Sequence, residues 1–251
     1  MGLPSCSCTA SAHPHATGTR SRAPAATTGG IAPDLLGFGR SPKPRHCGYA
    51  VPDHLDALLT VVSDGALVVG HSTGAVLAAA LAAQNPCKAR GLLLIGLPIY
   101  PDDVTARREI ARLGFLARMS VEQRSAARML CGLMCTFRPL AMVVARLLAT
   151  DVPRAVAADC VRHTWRSYSQ TLERVVIGHG PALDLFATAC PTLLLHGRND
   201  RVAPPWYVEE LAARAASSRS GVTARIVDGD HHLPLRRPDI VASAIAELAS
   251  P

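Results

Sequence analysis

The segment Leu67-Val68-Val69-Gly70-His71-Ser72-Thr73-Gly74 carries the strongest structural signal in this sequence. Residues 66–69 form a short apolar run between two glycines, a pattern typical of a strand buried on both faces of a parallel sheet. The Ala- and Leu-rich residues 73–84 follow and stop at an Asn-Pro pair, which predicts a helix. A strand that passes directly into a helix places Ser72 at the apex of a sharp turn.

This turn has the spacing G-x-S-x-G, with Gly70 and Gly74 on either side of Ser72. Small residues are needed there because the backbone at the apex is strained and the two elements approach closely. The hydroxyl of Ser72 would stand at the positive end of the next helix, and the Thr73 N–H could point at a developing oxyanion. The alternative is a glycine-rich turn that contains a serine by chance.

Two later loops supply the partners that a nucleophilic serine needs. A serine hydroxyl requires a base, and the base requires a carboxylate that orients it. Asp200 follows a predicted strand at 192–196, and His231 follows another at 222–227. Taken singly, each could be an ordinary turn or loop residue. Together, the order Ser72, Asp200, His231 predicts a catalytic triad at the carboxyl ends of the strands.

The rest of the chain alternates between strands and helices, which predicts an α/β fold with a mostly parallel sheet. Further strands are predicted at 91–95, 192–196 and 222–227, and helices at 51–62, 205–216 and 239–249. Residues 101–190 are helical throughout and form a predicted insertion above the sheet. Their apolar side chains should either shape a hydrophobic pocket or pack the inserted helices together. These side chains are Ile110, Leu113, Phe115, Leu116, Met119, Met129, Leu130, Leu133, Met134, Trp165 and Tyr168.

These features resemble the α/β-hydrolase superfamily, in its branch of capped esterases and carbon–carbon bond hydrolases. The resemblance runs from about residue 31 to residue 251. Residues 34–41 (DLLGFGRS) resemble the loop after the family's fourth strand, 70–74 the nucleophile elbow, and 196–204 the acid loop. The resemblance implies a hydrolase domain at 31–251 whose helical cap lies at about 101–190.

The resemblance also distinguishes the two adjacent histidines. In the family, the catalytic histidine stands seven residues before a proline that opens the last helix. Pro238 therefore selects His231, and not His232, as the base. We expect His232 and His71 to line the substrate pocket, with His71 shaping the elbow rather than transferring protons.

Residues 1–30 lack acids and show neither strand nor helix periodicity, so we predict a disordered tail that cannot supply a central strand. The family carries three strands before Asp34, and the third ends in a His-Gly loop that donates a second oxyanion N–H. Neither is found here. We therefore expect an N-terminally truncated sheet in which residues 66–69 have an open apolar edge. Such a chain should aggregate or be weakly active, and a truncated reading frame, a misassigned start or a completing partner would each explain it.

Composition excludes several other classes of function. The 26 basic residues exceed the 19 acidic ones by seven, but they form no cluster interleaved with aromatic residues, so no nucleic-acid partner is expected. Eight scattered cysteines and no signal peptide are typical of a cytoplasmic protein with reduced thiols. Cys6-x-Cys8 and His13-x-His15 superficially resemble a metal cluster but lack supporting ligands, so neither a metal nor an organic cofactor is expected. No apolar run reaches 18 residues, so no membrane partner is expected.

The predicted activity is hydrolysis of an ester, or a related carbonyl-linked bond, in a small apolar molecule through an acyl-enzyme on Ser72. His231 would deprotonate Ser72 and later activate water, while Asp200 would hold the imidazole in the required tautomer. Carbon–carbon bond hydrolysis and a cofactor-free peroxidase-like activity are alternatives that the triad does not separate. A further alternative is an inactive remnant that binds a ligand or partner. The sequence leaves the oligomeric state open.

Overall fold

One mostly parallel sheet organises the chain, as the sequence predicts. The computed structural model describes residues 8–11, 30–148, 153–217 and 221–250. Within them, six strands lie in the order β2-β1-β3-β4-β5-β6, and β3 to β6 pair in parallel. The strands are β1 (Cys8–Ser11), β2 (Gly30–Ile31), β3 (Ala66–His71), β4 (Ala89–Ile95), β5 (Thr192–Gly197) and β6 (Val222–Val227).

The described helices follow the predicted order, with boundaries that differ by a few residues at most. The region 101–190 is helical and lies between β4 and β5 in the chain. Before and inside that region the helices are α1 (Val51–Leu59), α2 (Thr73–Gln84), α3 (Asp103–Arg112), α4 (Phe115–Glu122), α5 (Arg124–Thr136), α6 (Arg138–Leu148), α7 (Arg154–Cys160), α8 (Trp165–Thr171) and α9 (Pro181–Ala187). After it come α10 (Pro205–Ser217), α11 (Leu233–Arg236) and α12 (Pro238–Ala249).

Both faces of the sheet are covered at β3, β4 and β5, which explains why these strands are mainly apolar. Successive side chains of a strand point to opposite faces. In β4, Leu92 and Leu94 pack into the core that contains α1 and α2, whereas Leu93 and Ile95 pack into the core formed with α12. Helix α2 is buried from residue 73 to residue 82, as expected for a helix enclosed on all sides.

The expected open edge of β3 is wrong. Strand β1 pairs antiparallel with β3, with Cys8 opposite Gly70 and Ala10 opposite Val68, and β2 pairs with β1. The unpaired N–H and C=O groups of a buried strand can be satisfied by any short extended segment, whatever the strand propensity of its side chains. The disorder predicted for residues 1–7 and 12–29 lies outside the described residues.

The apolar side chains of the helical region divide into two groups. Ile110 and Met119 are buried, in line with one of the two expectations for this region. Phe115 and Met129, by contrast, are 74% and 76% exposed, so they neither pack the helices together nor line an enclosed pocket. In the part of the chain that the structure describes, no single helix is long and apolar enough to cross a membrane. Helices α5 and α6 are long and apolar enough only when they are taken together, and they are bent by 107° relative to each other.

Candidate active site

Ser72 occupies a strained turn between β3 and α2. Its φ and ψ angles are 55° and −124°, a left-handed conformation that costs a non-glycine residue about 1–3 kcal/mol. The Ser72 N–H donates a 2.9 Å hydrogen bond to the Ile95 carbonyl, which ties the turn to the end of β4. A Cβ atom at Gly70 would lie 2.6 Å from the Cα of Ala75, so the glycine of the motif is sterically required. The G-x-S-x-G spacing therefore serves the close strand–helix contact that the sequence predicts.

Asp200 and His231 form a buried pair beyond the ends of β5 and β6. The Nδ1 atom of His231 lies 2.8 Å from Oδ2 of Asp200. The other carboxylate oxygen of Asp200 accepts the N–H groups of Val202 and Ala203, each at 2.8 Å. Burial alone would raise the pKa of Asp200, but the hydrogen bond and charge of His231, with the Ala203 N–H, hold that pKa below its usual value. Asp200 is therefore a fixed anion that accepts a hydrogen bond from the Nδ1–H group of His231.

The other ring nitrogen of His231 is available to act as a base. Its Nε2 atom is buried and has no hydrogen-bond partner among the described residues. With the proton placed on Nδ1 by Asp200, Nε2 carries the lone pair. No hydrogen bond joins it to the hydroxyl of Ser72 in this structure; catalytic hydrogen bonds are often loose until a substrate is bound.

The loops that carry these residues are fastened to one another. Nε2 of His71, the residue before Ser72, lies 2.7 Å from the backbone carbonyl oxygen of His231, and the two rings are 4.8 Å apart. The Asn199 N–H donates to the Gly229 carbonyl at 2.9 Å, which joins the loops after β5 and β6. The structure thus brings the segments containing Ser72, Asp200 and His231 together at the carboxyl edge of the sheet.

The other two predicted site residues also lie at this edge. His232 is buried, and its ring meets that of His231 edge-on at 5.9 Å. Thr73 is the first residue of α2, and its N–H donates no hydrogen bond among the described residues. It can therefore donate to a bound oxyanion. The position of a second oxyanion donor stays open.

Two residues of the site were not singled out from the sequence. Gly96 follows β4 with a φ of +54°, and a Cβ atom there would lie 3.0 Å from Nδ1 of His231 and 3.2 Å from Oδ2 of Asp200. His196 is fully buried, and its Nε2 accepts the Leu97 N–H at 3.1 Å. Burial lowers the pKa of His196 to about 4. The sequence pattern that could have identified Gly96 is a glycine directly after a buried strand. Its role in the site depends on its contacts with the distant loops that carry Asp200 and His231.

Comparison with known proteins places the chain in a family. Residues 13–244 match the alpha/beta hydrolase family, so the chain belongs to it. It is 30% identical over 198 residues to BODYGUARD 2 of Arabidopsis thaliana, named as a probable lysophospholipase, and the match covers 69% of this chain and 42% of that protein. The chain thus spans about two fifths of the length of this curated relative.

Solved structures share the fold at lower sequence identity. A hydrolase from Pseudomonas aeruginosa PA01 superposes with a TM-score of 0.64 and 18% identity, over 88% of this chain and 79% of that one. The esterase EaEST from Exiguobacterium antarcticum superposes with a TM-score of 0.63 and 16% identity, over 88% and 81%. These likenesses support the α/β-hydrolase fold predicted from the sequence.

Proposed function

We propose that this chain is a serine hydrolase that cleaves an ester or a related carbonyl-linked bond through an acyl-enzyme on Ser72. One observation carries the proposal. His231 is held at Nδ1 by a buried carboxylate, its Nε2 atom is left without a partner, and its backbone is bonded to the residue before a serine in a strained turn. Three distant segments have no structural need to meet in this way.

The proposed reaction has two halves that use the same base. Nε2 of His231 takes the proton of Ser72 as its Oγ bonds to the substrate carbonyl carbon, and the Thr73 N–H stabilises the oxyanion. The intermediate collapses, the bond to the leaving group breaks, and Nε2 returns the proton to that group. His231 then takes a proton from water as that water attacks the acyl carbon; the bond to Oγ breaks, the acid is released, and His231 returns the proton to Ser72. Asp200 stays ionised throughout and stabilises the imidazolium.

The helical region 101–190 would act as the cap in this proposal, with His71 and His232 beside the substrate. The curated relative's name includes lysophospholipase, so long-chain lipid esters belong with small apolar esters among the substrates to be tested. The family's own name supports hydrolysis.

The test is labelling with a fluorophosphonate together with turnover of p-nitrophenyl esters of increasing acyl length and of lysophosphatidylcholine. The native chain should be labelled and turn over, whereas Ser72→Ala should do neither. Ser125→Ala, which changes an exposed serine in α5, is the matched control and should behave as the native chain. Native protein that is folded by circular dichroism but unlabelled would overturn the proposal and favour an inactive binding protein.

A further inference from the structure

Helices α5 and α6 both expose large apolar side chains. Met129, Leu133 and Phe137 recur every four residues and therefore lie on one side of α5 and its C-terminal cap. Helix α6 buries none of its residues, and its apolar side chains follow the spacing of a single helical face. The exposed members on α6 are Leu140, Val143, Val144, Leu147 and Leu148. We call these eight side chains the α5–α6 face; so many large apolar side chains exposed on two successive helices mark an interaction site.

The same two helices carry positive charge and no negative charge. Residues 123–148 contain Arg124, Arg128, Arg138 and Arg146 but neither Asp nor Glu. Arg124 pairs with Glu173, and Arg138 donates to the His163 carbonyl.

The other two arginines are available to a partner. Arg128 and Arg146 are exposed and have no ion-pair partner among the described residues. An apolar face flanked by unpaired guanidinium groups is complementary to a surface that offers both hydrocarbon and anions.

A cavity beside α5 includes one of these two arginines, Arg128, in its lining. It has a volume of about 530 Å³ and lies between α5 and α8. Arg124, Arg128 and Arg166 line it together with Trp165, and Met129 of the apolar face is the residue after Arg128. Arg124 pairs with Glu173 and Arg166 donates to the Cys47 carbonyl, so Arg128 is the guanidinium of this lining that is available to a headgroup phosphate.

Other occupants fit the charge less well. A second copy docking through the same face would bring like-charged arginines together. Residues 1–29 contain Arg20 and Arg22 and no acid, so the N-terminal segment has the same sign of charge. We propose that the α5–α6 face docks on the surface of an anionic phospholipid bilayer, with Arg128 and Arg146 contacting headgroup phosphates.

The helix dimensions indicate docking on the surface rather than spanning. Helices α5 and α6 have 13 and 11 residues, or about 20 and 16 Å, whereas a bilayer core is about 30 Å thick. Their 107° bend lets both axes lie in the interface. The sequence-based expectation of no membrane partner rested on the lack of a long apolar run, which bears only on spanning. Surface docking requires no chemistry at Ser72, so it goes beyond the proposed function.

The test is co-sedimentation of the full chain, carrying Ser72→Ala so that no lipid is hydrolysed, with vesicles of two compositions. One is phosphatidylcholine alone, and the other contains equal parts of phosphatidylcholine and phosphatidylglycerol. We expect binding to the anionic vesicles that weakens as salt is added and is much weaker on phosphatidylcholine. Leu147→Glu should lower vesicle partitioning at least about tenfold, since Leu147 is 72% exposed and its burial in lipid is lost.

Charge reversal and matched controls separate this docking from other causes. Arg128→Glu with Arg146→Glu should lower partitioning at least about tenfold. Arg45→Glu with Arg90→Glu makes the same change of charge at two exposed positions outside α5 and α6, and Trp206→Glu removes an exposed apolar side chain in α10. Both control variants should leave partitioning within about twofold. No binding to anionic vesicles, or equal loss in the controls, would overturn the proposal. A concentration-dependent dimer in size-exclusion chromatography that Leu147→Glu dissociates would also overturn the proposal, because a second copy would then cover the α5–α6 face.

Discussion

Replacing Gly96 by Ala tests whether the Asp200–His231 pair must keep its observed position. The new methyl group would lie 3.0 Å from Nδ1 of His231 and 3.2 Å from the Asp200 carboxylate, whereas ordinary van der Waals contact begins near 3.4 Å. The ring cannot retreat freely, because its partner Asp200 is held by the N–H groups of Val202 and Ala203. We therefore expect the imidazole to shift by a few tenths of an ångström.

Two effects of this substitution can be separated by a second glycine. Gly96 and Gly65 have φ angles of +54° and +66°, so alanine at either position should cost about 1–2 kcal/mol of unfolding free energy through backbone strain alone. Nothing lies within 4 Å of a Cβ atom at Gly65. Only Gly96→Ala also disturbs the base. Since a 1 Å misplacement of a catalytic group costs about a hundredfold in rate, a shift of a few tenths of an ångström should lower kcat about three- to tenfold.

The assay pairs urea unfolding with turnover of a p-nitrophenyl ester for Gly96→Ala, Gly65→Ala and the native chain. Both variants should lose similar stability, and only Gly96→Ala should lose activity beyond its folded fraction. Equal activity in the two variants, at matched folded fraction, would refute the reasoning that this glycine makes room for the Asp200–His231 pair.

Three further predictions concern buried polar groups. Asp200→Asn should lower kcat about 10³- to 10⁴-fold, because an amide at this position no longer fixes the tautomer of His231. The control Asp56→Asn, at an exposed position, should leave kcat unchanged, and a loss below about tenfold in Asp200→Asn would count against the triad. His71→Ala should lower kcat about fivefold, since the bond to the His231 carbonyl is lost, and an equal loss in His46→Ala would contradict this. Burial lowers the pKa of His54 to about 4 from 6.5, so the unfolded chain binds more protons between these pH values and stability falls as the pH falls through them. Between pH 7 and pH 5, the free energy of unfolding measured in urea should fall by about 2 kcal/mol more in the native chain than in His54→Gln. If the two plots of unfolding free energy against pH are parallel, His54 is not the source of the pH dependence.

The order and type of the elements could be predicted from local patterns. Apolar runs bounded by glycine or proline predicted β3, β4 and β5, because strands covered on both faces carry mainly apolar side chains. The elbow at Ser72 was predicted for an equally local reason, since close strand–helix contact requires glycines at fixed spacing.

Pairing partners could not be predicted from such patterns. The strand at Cys8–Ser11 has no run of β-branched or aromatic residues, and it pairs with β3 because that strand's backbone groups need partners. The exposure of Met129 and Leu147 was equally hidden, since an apolar helical face has the same sequence pattern whether or not another element covers it.

The sequence by itself determined the α/β architecture, the serine turn and the order of Ser72, Asp200 and His231, because each depends on residues close together in the chain. Only the tertiary structure decided which atoms meet: the Nδ1 of His231 with Asp200, the carbonyl of His231 with His71, and the space beside Gly96. Such contacts join residues up to 160 positions apart, and their geometry follows from how the loops pack at one edge of the sheet.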